Sequence, residues 1–171
     1  FRAALTEAGW TDEEIEAVVV KSAATGWSRD TGKELFESWF SSAQCDPSKK
    51  LWIFTHDDEI GMGILESLNG SALDENKKKE FLDSLQALAA SSGLAEMYAV
   101  LKDTHQTIAR PTEFDLFSVT YDPAMIKEAV DVMASHLKGE EIEQDYIIPV
   151  SVVDQENVAD FQPFGTYDEK E

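Results

Sequence analysis

The chain has 171 residues and 19.0 kDa, with 34 acidic against 14 basic side chains, a formal charge of −20 and a pI of about 4.3. At 43% hydrophobic residues it can bury a real core, and its length suits one domain or a little more. The negative excess repels phosphate backbones and anionic bilayers, which argues against nucleic-acid and membrane-surface partners, and no apolar run approaches the roughly 18 residues that span a bilayer.

Phe1-Arg2-Ala3-Ala4-Leu5 reads as the middle of a helix, which is expected over about 2–8 and stops at Gly9. Thr11-Asp12-Glu13-Glu14 is an acidic turn that can open a second short helix. Ala17-Val18-Val19-Val20 is a short β-branched run and predicts a strand buried on both faces. Gly26-Trp27-Ser28-Arg29-Asp30 is a loop. Asp30 or Thr31 is then the expected cap of a helix with Leu35, Phe36, Trp39 and Phe40 on one side. Cys45 is the single cysteine, so no internal disulfide framework exists. It reads as an incidental residue beside the Asp46-Pro47-Ser48 turn.

The same unit then recurs. Leu51-Trp52-Ile53-Phe54 predicts a strand and Thr55-His56-Asp57-Asp58 a polar loop. A helix follows over 60–68, with Ile60, Ile64, Leu65 and Leu68 at helical spacing and Asn69-Gly70 at its end. Residues 76–80 read as a charged connector. Residues 84–90 read as a strand weakened by Ala and Gln, with a helix as the alternative, and Ser91-Ser92-Gly93 is a turn. A helix over 94–102 has Leu94, Met97, Tyr98 and Leu101 on one side. Beyond Arg110-Pro111, residues 116–121 predict a strand. Asp122-Pro123 then starts a helix that buries Ile126, Ala129, Val130, Met133 and Leu137 and ends at Gly139. Residues 146–153 are a last extended stretch, interrupted at Pro149. The tail 165–171 is polar and expected to fray.

Strands alternating with helices at these spacings predict an α/β fold, a mainly parallel sheet with helices on both faces. Ligands of such sheets bind outside the carboxyl ends of the strands, which selects the loops starting near Trp27, Asp57, Ser92 and Tyr121. They carry an aromatic face, a carboxylate pair, hydroxyls beside a glycine, and a phenol beside another carboxylate. Carboxylates accept hydrogen bonds from neighbouring hydroxyls, and an indole offers an apolar plate for the C–H face of a sugar ring. Neutral polyols fit this mixture best. Arg29 is the only cation in these loops, which makes an anionic ligand less natural. Each feature also has a structural reading: Trp27 as a packing residue, Asp57 or Asp58 as a helix cap, and Tyr121 as an ordinary strand aromatic.

An enzyme is the weaker reading. His56-Asp57-Asp58-Glu59 has metal-ligand residue types, but adjacent side chains rarely converge on one ion and no spaced His pair supports them. Ser91-Ser92-Gly93 with His56 and an Asp can be drawn as a hydrolase triad, yet the Gly-x-Ser-x-Gly elbow is absent. No cofactor and no metal site is read from the sequence.

Leu51 to Leu68 resembles the segment of type I periplasmic sugar-binding proteins in which a strand runs into Asn-Asp or Asp-Asp and a helix with small residues follows. In order along the chain, Phe1 to Leu5 looks like the helix after the first strand of that family's second lobe. Gly26-Trp27-Ser28-Arg29-Asp30-Thr31-Gly32 looks like its aromatic–x–Arg–x–x–Gly loop. Ser118 to Pro123, Lys138-Gly139-Glu140, Ile148-Pro149-Val150 and Glu156-Asn157-Val158 look like its closing section.

The resemblance implies an extracytoplasmic solute receptor for an ABC importer, with two α/β lobes that close over a sugar and an ABC transporter permease as partner. It puts Trp27 at the ring-stacking aromatic and Asp57 at the Asn or Asp that bonds sugar hydroxyls. Ser92 falls at a position usually held by Asp, so the pattern of bonded hydroxyls should differ; Ser91 is an alternative donor there. Tyr121 falls where a polar group lies at a lobe crossing. The implied organisation is a C-terminal lobe over 1–118, a segment over 119–145 that crosses into an N-terminal lobe missing from the chain, and a return over 146–171. The missing lobe or another chain is therefore expected to cover Ile126, Val130, Met133 and Leu137, because leaving each in water forfeits roughly 1.5–3 kcal/mol. A LacI-like transcription regulator's effector domain of the same fold, with a DNA-binding headpiece upstream, is the alternative.

Overall fold

The computed structural model describes residues 2–121 and 125–163. Its centre is a four-stranded sheet in the order β1-β2-β3-β4, made of β1 (Leu51–Phe54), β2 (Leu85–Ser91), β3 (Asp115–Tyr121) and β4 (Val150–Val153). The first three strands are parallel and β4 runs antiparallel to β3, from Ser118 opposite Val153 to Tyr121 opposite Val150. The parallel strands are linked by helices, as parallel pairing requires. Those helices include α4 (Asp58–Asn69), α5 (Glu75–Ser84) and α6 (Ala95–Leu101). Before them come α1 (Arg2–Glu7), α2 (Asp12–Val18) and α3 (Arg29–Ser41), and between β3 and β4 lies α7 (Met125–Leu137). The α/β class and the mostly parallel sheet are as expected.

Side chains alternate across the strands, so the pairings define two faces. Leu88, Ala90, Leu116, Ser118 and Val153 share the buried face. The helix α4 lies against it, since a Cβ on Gly61 would approach Ala90, Leu88 and Met97. Phe36, Phe40, Met62, Leu65, Phe81, Leu85, Met97, Tyr98 and Leu101 complete this core. Phe81 meets Phe36, Trp39 and Phe40 edge-on, with ring centroids 5.4–6.0 Å apart. The other face carries Trp52, Phe54, Val150 and Val152, all exposed.

Several expectations change. Residues 17–20 form no strand: Thr11 caps α2 through a reciprocal capping box with Glu14, the helix runs to Val18, and Val18 and Val20 are exposed. The local capping signal and the burial of Ile15 outweigh the β-branched run. The cap of α3 is Ser28, whose hydroxyl accepts from the Thr31 amide, rather than Asp30 or Thr31. Residues 76–80 are helical, not a connector, because Asp74 caps α5 and Phe81 anchors it in the core. The last extended stretch is ordered as a strand only over Val150–Val153. The Asp122-Pro123 helix start and the 165–171 tail lie outside the described residues. Gly139, with φ +77, ends α7 as expected.

Candidate functional site

Three loops meet at the carboxyl rim of the sheet, and hydrogen bonds fix their mutual positions. At the end of β1 the Asp57 side chain caps α4, accepting from the Glu59 amide at 2.8 Å through Oδ1. Asp57 is half-buried, and its Oδ2 makes no hydrogen bond among the described residues. Its neighbour Asp58 turns inward and is fully buried. Asp58 Oδ2 accepts from the amides of Gly93 at 2.8 Å and Leu94 at 2.7 Å, and the Ser118 hydroxyl donates to Oδ1 at 2.8 Å. One carboxylate thus ties together the ends of β1, β2 and β3. Burial pushes its pKa up, while the Leu94, Ser118 and Gly93 hydrogen bonds pull the other way.

The β2 end is held in an unusual backbone state. Ser92 has φ +132, a region that L residues with a side chain rarely enter, and its amide donates to the Val119 carbonyl at 3.1 Å. The Thr120 hydroxyl donates to the Ser92 carbonyl at 3.3 Å. Gly93 follows with φ +85, and a Cβ there would lie 2.5 Å from Thr120 Oγ1, so this position admits only glycine. The Ser91 hydroxyl donates to the His56 carbonyl at 2.8 Å and is therefore occupied. The Ser92 hydroxyl makes no hydrogen bond among the described residues, which favours Ser92 over Ser91 as the donor this loop offers. Tyr121 is placed by its backbone alone, at the end of β3 opposite Val150.

Trp27 does not follow a described strand. It precedes α3, with φ +62, and is 72% exposed. Two residues on, the Arg29 guanidinium donates to Glu59 at 2.6 Å and to Glu66 at 3.3 Å, both on α4, and also pairs with Glu96 on α6. Since Glu59 is two residues from Asp57, this contact puts Trp27 and Asp57 on the same rim. Burial of the guanidinium works against its charge, but the hydrogen bonds and charges of Glu96 and Glu59 outweigh that and raise its pKa above the ordinary arginine value. The Arg29 hydrogen bond in turn holds the Glu96 carboxyl below its usual range. The backbones also approach closely: a Cβ on Gly63 would sit 2.6 Å from the Arg29 carbonyl oxygen. That approach explains the small residues in α4.

The structure therefore brings Trp27, Asp57 and Ser92 to one rim, with the backbone of Tyr121 at the next strand end. The roles of Asp58 and Arg29 are what sequence reasoning misses. Asp58 and its partners Gly93 and Ser118 are 35 and 60 positions apart, and Arg29 and its three carboxylates are 30, 37 and 67 apart. No local pattern carries such pairings. The hydrolase arrangement shows no serine–histidine hydrogen bond among the described residues: Ser91 donates to the His56 carbonyl rather than its ring, and the Ser92 hydroxyl bonds neither. Among the described residues no group of three or more His, Cys, Asp or Glu is placed to hold a metal ion, and no helix is long and apolar enough to cross a membrane. An open groove of about 670 Å³ beside Arg110, Glu113, Asp115 and Glu156 lies at the opposite end of the strands and is separate from this rim.

The fold is shared with sugar-binding periplasmic proteins of type I. A galactofuranose-binding protein superposes with a TM-score of 0.59 at 17% identity, covering 82% of this chain and 42% of its own. An ABC transporter solute-binding protein from Agrobacterium vitis, solved with α-D-tagatopyranose, gives 0.58 at 14% identity, with coverages of 82% and 40%. A periplasmic solute-binding protein from Actinobacillus succinogenes 130z, solved with D-allose, gives 0.58 at 14%, with coverages of 82% and 42%. The chain thus spans about two fifths of the length of these structures. No family profile matches the chain, and no curated protein matches it.

Proposed function

We propose that this chain is one lobe of an extracytoplasmic solute-binding receptor that grips an uncharged sugar and delivers it to an ABC transporter permease. The observation that carries the reading is the meeting of the Trp27 turn, Asp57 and Ser92 at one rim of a sheet whose fold is that of sugar-binding proteins. Trp27 supplies an exposed ring for a sugar's C–H face. The open oxygen of Asp57 accepts from sugar hydroxyls, Ser92 offers a hydroxyl, and Tyr121 lies at the lobe crossing. Neutral ligands are favoured because Arg29, the cation beside Trp27, is committed to three carboxylates.

In this reading 1–118 is the C-terminal lobe, 119–145 crosses into an N-terminal lobe and 146–171 returns. Its support is that the chain leaves the sheet at Tyr121 and re-enters beside it at Val150. In the chain alone Ile126, Val130, Met133 and Leu137 are 69%, 61%, 56% and 79% exposed, an apolar stripe that the second lobe would cover. A sugar touching both lobes favours the closed state, which couples binding to closure.

The test is a thermal-shift screen of the intact receptor against neutral sugars, sugar acids and sugar phosphates, followed by calorimetry on two variants. A neutral sugar should raise the melting temperature by mass action. Trp27→Ala should then weaken binding by roughly 1–3 kcal/mol, and Asp57→Ala by at least as much because sugar donors lose their acceptor. A response confined to sugar phosphates, or full affinity in both variants, would refute the assignment. A melting response to no sugar, with binding to operator-type DNA by the full-length chain, would favour the transcription-regulator reading.

A further inference from the structure

Trp27 poses a physical question. The residue is 72% exposed and its backbone is left-handed, so packing of its own does little to hold its ring in one orientation. The turn that carries it is held instead from the α3 side. Ser28 caps α3, and Arg29 is the first residue of that helix. The guanidinium reaches Glu59 in the first turn of α4, Glu66 two turns further along, and Glu96 in the first turn of α6. Lys33, one turn along α3, also pairs with Glu66 at 3.3 Å. The Arg29 carbonyl is pressed onto α4 at Gly63. Planar, forked and permanently charged, a guanidinium can serve three carboxylates at fixed angles, where an ammonium supplies a single point charge.

We propose that Arg29 is a positioning residue for Trp27: its three-carboxylate clamp holds the 26–28 turn against α4 and α6, and so fixes where the exposed indole leaves the backbone at the rim. The proposal rests on the reading of Trp27 as the sugar-facing ring, but it is tested without any sugar. The two therefore fail separately. The stacking role fails if Trp27→Ala leaves sugar affinity intact, and the clamp fails on the measurement below.

The measurement is 19F NMR of the chain labelled with 5-fluorotryptophan, in which Trp27→Phe identifies the Trp27 signal among the four tryptophans. Arg29→Met keeps the bulk and removes the fork. It should move the Trp27 signal most of the way to its position in the urea-unfolded chain and narrow it, while Trp10, Trp39 and Trp52 stay in place. Arg29→Lys should restore the signal in part. A Trp27 signal unchanged in Arg29→Met overturns the proposal, as does a full restoration by Lys, which would make any charge sufficient. If Arg29→Met unfolds the chain, so that all four signals collapse, Glu59→Gln and Glu96→Gln each remove one arm. A selective displacement of Trp27 in either supports the clamp, and no displacement in both refutes it.

Discussion

Asp58 shows how one side chain can organise the carboxyl rim of a sheet from beneath it. Its carboxylate satisfies two backbone amides and a hydroxyl from two other strand ends. Asp58→Ala removes the acceptor of the Leu94 amide and the Ser118 hydroxyl and leaves the Gly93 amide only its 3.3 Å contact with Ser118 Oγ, at about 1–3 kcal/mol for each donor left unpaired. Urea unfolding should therefore show a loss of about 3 kcal/mol, offset in part where the strained Ser92 turn relaxes. The pH dependence has a definite sign. Burial raises the folded-state pKa above the unfolded one, so the native chain holds the proton more tightly. The stability that protonation of Asp58 contributes is complete below the unfolded pKa and is lost as pH rises through the folded value. The stability of the wild type minus that of Asp58→Asn should accordingly fall across that window. A difference that rises with pH would mean that the hydrogen bonds, not burial, dominate.

At the level of elements, sequence and structure part where local and distant forces differ. The helices α4 and α6 are legible because their apolar periods agree with their burial. Ile60, Ile64, Leu65 and Leu68 in the first, and Met97, Tyr98 and Leu101 in the second, all face the core. Residues 17–20 mislead because a β-branched run describes what a strand tolerates, while Thr11 and Glu14 commit the segment to a helix. Residues 76–80 mislead because four charges in five residues hide the one side chain that matters, Phe81, just beyond them. Phe81→Ala should cost about 3–5 kcal/mol, the range for a large-to-small change at a fully buried aromatic, and differential scanning calorimetry checks it. A true surface connector would tolerate the change with almost no loss. Of the rim, the loops at β1, β2 and β3 are legible from strand order. The division of labour between Asp57 and Asp58, and the Arg29 clamp, depend on partners that only the folded chain brings near.

For the whole molecule the dominant fact is unevenly distributed apolar surface. One face of the sheet is packed, while Trp52, Phe54, Val150 and Val152 on the other, and the stripe on α7, meet water. Patches of this kind mark contact surfaces or association hazards. The isolated chain should therefore self-associate as its concentration rises, despite its charge of −20. Sedimentation equilibrium should report a mass above 19.0 kDa, and Val130→Glu with Met133→Glu should lower it towards the monomer. A monomer at all concentrations would count against the need for a covering lobe.

The antiparallel pairing of Tyr121 with Val150 has a topological corollary. Directly opposed residues in such a ladder lie about 5 Å apart, a gap that a two-residue Asn-Gly turn closes. Deleting 122–149 and splicing in that turn should leave the ladder in register, and the shortened protein should still melt cooperatively. The excursion would then be a detachable appendage, grafted onto a self-sufficient sheet.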